Sequence, residues 1–313
     1  MIDFRRPLSR RATLALGAGI GIAPLLRPQA GRTQTAAAPI MTRPIPRTGE
    51  PLPVVGCGTA IIFDIGGEPQ PRKERADVIR TLVAGGGKLI DTAPSYGRAE
   101  SVLGDLLTEL ELRDRIFLAT KVRVAAHADT IAEMQQSLKK LRTDRVDAMQ
   151  LHNVRDANQD LAVLREWKAQ GRCRYIGITS SFDRDYAAVE AVLRRQKPDF
   201  FQIDYSLNDR NAEARLIPAA AEVGAAVLTN LPFGRGKLFQ AVRGRSLPDW
   251  AAEFDAASWG QFFLKFLLGH PTVTAVIPGT DKPEYMLDNL GAGRGRLPDA
   301  AMRRKMVAWY ESL

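Results

Sequence analysis

Eight short apolar runs recur along this 313-residue chain, and a stretch of helical periodicity separates each from the next. The runs fall at residues 54–58, 88–93, 116–121, 146–152, 174–180, 200–206, 225–231 and 275–279. Several are nearly continuous in apolar residues, the pattern of parallel strands buried on both faces. Helical patterns occupy residues 74–84, 100–110, 130–141, 161–170, 186–195, 212–223, 258–268 and 283–290. Gly171 stands just past the fourth, where a left-handed residue closes a helix, and Asp129 is placed to cap the third. A further helix is expected over 302–310, with Val307 and Trp309 packing back on the rest. Repeated strand-then-helix order leaves two architectures, a doubly wound open sheet or a (β/α)8 barrel. The open sheet wants a glycine-rich phosphate turn after its first strand. Val54-Val55-Gly56-Cys57-Gly58-Thr59 does not run on into such a turn, so an α/β chain folded as a (β/α)8 TIM barrel over residues 39–313 is predicted.

Residues 1–38 are expected to lie outside that fold. Ser9-Arg10-Arg11-Ala12-Thr13-Leu14 precedes a weakly apolar stretch to Leu26 and then Ala/Thr/Pro-rich sequence, with Ala36–Ala38 as a cleavage region. A basic start, a short apolar centre and small residues beyond make a signal peptide, and the paired arginines favour the twin-arginine type. Pro24 and three glycines interrupt the stretch, which is too short for a membrane span. A partnership with the export machinery and a periplasmic location follow, with cytoplasmic residence if the leader is not used. The formal net charge is +9, but six arginines against Asp3 put +5 in residues 1–38, leaving +4 (9 − 5) for the barrel. That is ordinary for an enzyme and argues against a nucleic acid partner. Cys57 and Cys173 are expected to be free buried thiols. The three histidines at 127, 152 and 270 have no metal-ligand spacing, so no metal is expected.

Four ionisable residues then sit at the C-terminal ends of consecutive runs: Asp91 and Tyr96 in Ile90-Asp-Thr-Ala-Pro-Ser-Tyr96, Lys121 in Leu118-Ala-Thr-Lys121, and His152 in Gln150-Leu-His152. Barrel active sites gather at that face. An ammonium beside a phenol stabilises the phenolate and brings its pKa down from near 10, and an aspartate holds the lysine charged and in place. A neutral histidine donates a hydrogen bond to a carbonyl oxygen as negative charge develops there. Such a set suits carbonyl reduction with a nicotinamide hydride. Two other readings stay open: a nicotinamide-binding but weakly catalytic sensor or partner protein, and a hydrolase or lyase that uses Asp91, Lys121 and His152 without nicotinamide.

From about residue 50 to the C-terminus the chain resembles the aldo-keto reductases. The segments that carry the likeness are Gly56-Cys-Gly-Thr59, Asp91-Thr-Ala-Pro-Ser-Tyr96-Gly-Arg-Ala-Glu100, Leu118-Ala-Thr-Lys121, Gln150-Leu-His-Asn153, Arg174-Tyr-Ile-Gly-Ile-Thr-Ser180, Gln202-Ile-Asp-Tyr205, Ile277-Pro-Gly-Thr280 and Asp288-Asn-Leu290. The resemblance implies Tyr96 as general acid, Lys121 and Asp91 as its tuning pair, and His152 as the group that orients the carbonyl. It implies action on a small aldehyde or ketone with NADP(H), or with NAD(H), and a monomer is expected. Asn153, Thr179, Ser180, Gln202 and Asn230 fall around the nicotinamide. Gly234, Arg235, Gly236 and Lys237 match the loop over the pyrophosphate, and Thr280, Lys282 and Asn289 the adenosine end. Two departures stand out. Asn230 occupies a position where many relatives stack a tyrosine on the nicotinamide, so stacking is weaker here or comes from elsewhere, for example Phe233. Tyr285 replaces a familiar arginine, and Asp281 sets a negative charge beside Lys282. Ile61–Ile65, Trp250, Phe254 and Trp259 are apolar residues divided between pocket and core.

Overall fold

The computed structural model describes residues 38–123 and 127–313, so the expected leader lies outside it except for Ala38. Eight parallel strands hydrogen-bond in chain order: β3 (Cys57–Gly58), β4 (Leu89–Asp91), β5 (Phe117–Val122), β6 (Val146–Leu151), β7 (Cys173–Ser180), β8 (Phe200–Asp204), β9 (Ala226–Asn230) and β10 (Val273–Val276). Parallel bridges from Val55 to Val276 and from Gly58 to Gly279 bring the last strand back to the first. The sheet thus closes on itself as the predicted (β/α)8 barrel. A hairpin that the sequence did not announce precedes it, β1 (Thr42–Pro44) paired antiparallel with β2 (Pro51–Pro53). Each strand has three residues and carries proline, too little for a period-2 signal.

The helices are α1 (Pro69–Ala84), α2 (Ala99–Glu109), α3 (His127–Lys140), α4 (Ala162–Ala169), α5 (Tyr186–Gln196), α6 (Leu216–Val223), α7 (Lys237–Ala241), α8 (Trp259–Leu268), α9 (Pro283–Gly291) and α10 (Ala300–Glu311). Helix α1 starts at Pro69 rather than at residue 74, because a first-turn proline gives up an N–H that has no intrahelical partner. Helix α3 starts at His127, so Asp129 lies in its first turn instead of capping it. The stretch 212–223 divides at Arg215, whose φ of −142° is not helical, into a 3-10 turn and α6. Gly171 does follow α4 in the left-handed conformation, at φ 73°.

Most of the apolar side chains lie between strands and helices. Phe63 and Phe254 are fully buried in this layer, which makes them core rather than pocket. Trp250, Trp259 and Trp309 share one aromatic cluster, where Trp259 and Trp309 stack at 5.3 Å and 18°. Helix α10 therefore packs back on α8 as expected. A second apolar cluster fills the barrel's inside and ends on Ile45 and Leu52 of the hairpin, which floors the barrel. Full burial of one such leucine or phenylalanine contributes roughly 1.5–3 kcal/mol.

Candidate active site

Successive side chains of a strand point to opposite faces, so the apolar interior fixes which residues rise above it. Leu89, Ala119, Ala148, Phe200 and Leu228 belong to the interior cluster. Counting upward by twos gives Asp91, Lys121, Gln150 with His152, Gln202 with Asp204, and Asn230. The same strands thus turn from apolar to polar as they approach the C-terminal mouth.

Three of the four residues singled out in the sequence are placed in this way, and the loop after β4 brings the fourth, Tyr96. Gly97, at φ 59°, takes the left-handed backbone that favours glycine, and an added Cβ would press on the Asp64 carboxylate. Asp64 in turn accepts the Arg98 N–H at 3.0 Å and pins this loop. Lys121 Nζ donates to Asp91 Oδ2 at 2.6 Å and to the Thr92 carbonyl at 3.0 Å, with both charged side chains buried. It stands 5.0 Å from the centroid of the Tyr96 ring. Tyr96 and His152 meet edge to face, their centroids 5.9 Å apart.

Burial disfavours the Lys121 ammonium, but Asp91 and Tyr96 outweigh it and hold it above its ordinary range. Burial also raises the Asp91 carboxyl, against the pull of Lys121 and two glutamine amides. His152 is pushed down to about 3 by burial and by the cationic Lys121, Arg123 and Arg155, so its imidazole is neutral. Tyr96 differs from the sequence expectation. Lys121 does pull the phenol down, but burial is the larger effect and Asp91 and Asp204 add to it, leaving the phenol above 10. The group is a proton donor in the free protein.

The residues matched to a cofactor divide into two groups. Around the mouth, the Asn153 N–H donates to Thr179 Oγ1 at 2.9 Å, with Asn153 at a left-handed φ of 58°. Asn153 Oδ1, Ser180 Oγ and Asn230 Oδ1 are buried without a hydrogen-bond partner in the protein. Gln202 is occupied from within: its Nε2 reaches Asp91 Oδ2 at 3.3 Å and its Oε1 accepts from Gln150 at 2.9 Å. Toward the rim, Gly234, Arg235 and Gly236 are all left-handed and Lys237 starts α7. Thr280 is buried in the turn before α9 and Asn289 within α9. Lys282 is exposed, its Nζ 5.7 Å from the Tyr285 ring. Phe233 packs on Phe239 at 4.8 Å.

Gln150 and Asp204 were not singled out as site residues. Both stand two positions from a residue that was, His152 and Gln202, and the period of a strand would have found them. Gln150 Nε2 also lies 3.4 Å from Asp91 Oδ1. Cys57 and Cys173 are buried and free, and burial pushes both thiols up to about 12, which leaves them inert.

With this geometry established, comparison with known proteins identifies its relatives. The model of the aldo/keto reductase family matches residues 54–305. The aldo-keto reductase str7 of Strobilurus tenacellus is 25% identical over 312 residues, covering 81% of this chain and 92% of that protein. The methylglyoxal reductase YeaE of Escherichia coli is 28% identical, covering 72% and 80%. An aldo/keto reductase from Klebsiella pneumoniae, solved with NADP and acetate, superposes with a TM-score of 0.70 at 23% identity, covering 84% and 93%. The holo form of an aldo-keto reductase from Bacillus halodurans gives 0.68 at 22%, covering 87% and 96%.

Proposed function

The chain belongs to the aldo/keto reductase family and is an oxidoreductase acting on carbonyl and alcohol groups; from that premise we propose that it reduces a small aldehyde or ketone with NADPH, using Asp91, Tyr96, Lys121 and His152. One observation carries the reading. A protonated phenol, a neutral imidazole and an ammonium buried against a carboxylate converge on one mouth. Tyr96 gives its proton to the carbonyl oxygen, and general acid catalysis of this kind contributes about 10²–10⁴-fold. His152, uncharged, donates a hydrogen bond to the same oxygen and fixes the carbonyl against the phenol. Lys121 steadies the phenolate left behind, and Asp91 keeps Lys121 charged.

The residues fit a nicotinamide cofactor, which when bound supplies the hydride. Three buried polar atoms without partners, Asn153 Oδ1, Ser180 Oγ and Asn230 Oδ1, suit a carboxamide. Thr179 and Gln202 border the same space. Gly234 and Gly236 let the backbone approach a pyrophosphate, and Arg235 and Lys237 balance its charge. Thr280, Lys282 and Asn289 take the adenosine end, with Lys282 the group that favours NADPH over NADH. NADP in the Klebsiella pneumoniae relative supports this choice.

Titration with NADPH and NADH, followed by an aldehyde and ketone panel that includes methylglyoxal, tests the reading. Saturable binding and turnover that Tyr96→Phe abolishes are expected. A chain that binds neither cofactor, or a Tyr96→Phe variant as fast as wild type, overturns it. The arginine pair of the leader further supports export of the folded protein with cofactor already loaded. Arg10→Lys/Arg11→Lys is expected to keep it in the cytoplasm; an unchanged distribution on cell fractionation defeats the export reading.

A further inference from the structure

The mouth of the barrel holds a second carboxylate that the proposed proton chemistry does not use. Asp204 ends β8, two residues beyond Gln202 and therefore on the same inward face. Its Oδ1 accepts from Asn230 Nδ2 on the paired strand β9, opposite it in register. Asn230 Nδ2 also reaches Ser181 Oγ at 3.3 Å. An ionised carboxylate only accepts hydrogen bonds. It therefore turns the Asn230 amide so that Nδ2 faces Asp204 and Oδ1, buried and unpartnered, is left for a ligand.

The charged groups of this ring are matched in different ways. Lys121 is matched by Asp91 at 2.6 Å, and His152 is neutral. Asp204 adds a carboxylate beside Asn230, and the cation that acts on it is Arg235, the residue matched to the pyrophosphate. Arg235 faces it from the glycine-rich loop and Asp209 from the turn after β8, with Tyr96 and Tyr186 the phenols within its field.

We propose that Asp204 is the electrostatic counter-group of the oxidised nicotinamide, favouring the cofactor after it has given up hydride over the cofactor before. Reduced nicotinamide is neutral at the ring, and loss of hydride to the substrate carbon leaves a pyridinium cation, while Tyr96 supplies the proton to oxygen. A carboxylate one side chain away attracts the cation and leaves the neutral ring unaffected. It thereby makes bound NADPH a stronger reductant and biases the enzyme toward carbonyl reduction. The proposal rests on the nicotinamide placement given above.

The experiment is equilibrium binding of NADP+ and NADPH, measured separately by calorimetry on the purified protein and on Asp204→Asn, which keeps the shape and removes the charge. The ratio of the two affinities is expected to shift roughly tenfold against NADP+ in the variant, equivalent to about 1.4 kcal/mol. Burial pushes the Asp204 carboxyl up to about 6, so wild-type protein moved from pH 7.5 to 5.5 is expected to drift in the same direction. That second measurement decides the matter if the variant does not fold. Both forms binding, with a ratio that neither the substitution nor the pH moves, overturns the role of Asp204 and leaves the reductase reading intact. If wild type binds neither form, both readings fall together.

Discussion

The two ends of this barrel are built from the same strands and differ in how their polar groups are satisfied. At the floor Asp147, Asp199 and Thr274 are each engaged. Asp147 Oδ2 accepts the Leu118 N–H at 2.8 Å, and its Oδ1 accepts from Arg174 at 2.9 Å. Asp199 accepts the Ile176 N–H at 2.9 Å and Lys168 at 2.6 Å, and Thr274 Oγ1 accepts the Val227 N–H at 3.0 Å. Each thus ties off a backbone donor of a neighbouring strand. Above them Phe117, Tyr175 and Phe200 pack within 5.8 Å of one another. At the mouth, by contrast, Gln150 Oε1, Asn153 Oδ1, Ser180 Oγ and Asn230 Oδ1 are buried and unpaired. An unmet buried polar group costs about 1–3 kcal/mol. Stability is concentrated at one end, and binding capacity is held open at the other.

Substitutions at the two ends should therefore separate activity from stability. The largest effect is expected from Tyr96→Phe, a loss of about 10²–10⁴-fold in kcat with an unchanged melting temperature, read by steady-state kinetics and thermal unfolding. A comparable loss of stability would blur the division. Phe200→Ala at the floor should cost about 3–5 kcal/mol in denaturant unfolding, and the folded fraction should keep its kcat per active site. Asp199→Ala strands the Ile176 N–H and should cost about 1–3 kcal/mol, again without a kinetic signature. A drop in kcat for either floor variant would show that the ends are coupled.

The smallest effect concerns His152, whose folded pKa of about 3 lies below the ordinary 6.5. The unfolded chain takes this proton first, so the residue costs stability progressively as pH falls from 6.5 toward 3. Between pH 6.5 and 9 it should leave no limb in the kcat/KM profile. A limb that His152→Gln removes would mean that the imidazole is charged in the working enzyme.

How much of this was legible in the sequence follows the same division. Strand order and the gathering of Asp91, Tyr96, Lys121 and His152 at one mouth were readable because buried parallel strands leave continuous apolar runs, and because Asp91, Lys121 and His152 mark where those runs end. The hairpin was not, since Thr42–Pro44 and Pro51–Pro53 are too short for a pattern and owe their place to contacts with distant segments. The Tyr96 titration was not either. Sequence proximity suggests the Lys121 partner but says nothing of how dry the phenol is, and burial proved the larger influence. Gln150 and Asp204 were within reach of the strand period, two residues from His152 and Gln202, but their partners Gln202 and Asn230 on other strands show only in the fold.

The floor also constrains how the chain is made. Arg43, in the hairpin, donates to the carbonyls of Leu268, His270 and Val273, and β3 finds its second neighbour only in β10. The first strand synthesised waits for the last. A nascent chain still attached at its C-terminal quarter has an open sheet with two unpaired edges, which are sites of mispairing and aggregation. Such long-range closure makes folding slow. The candidate mouth, whose residues run from Asp91 to Asn230, comes together only once the last strand has closed the sheet.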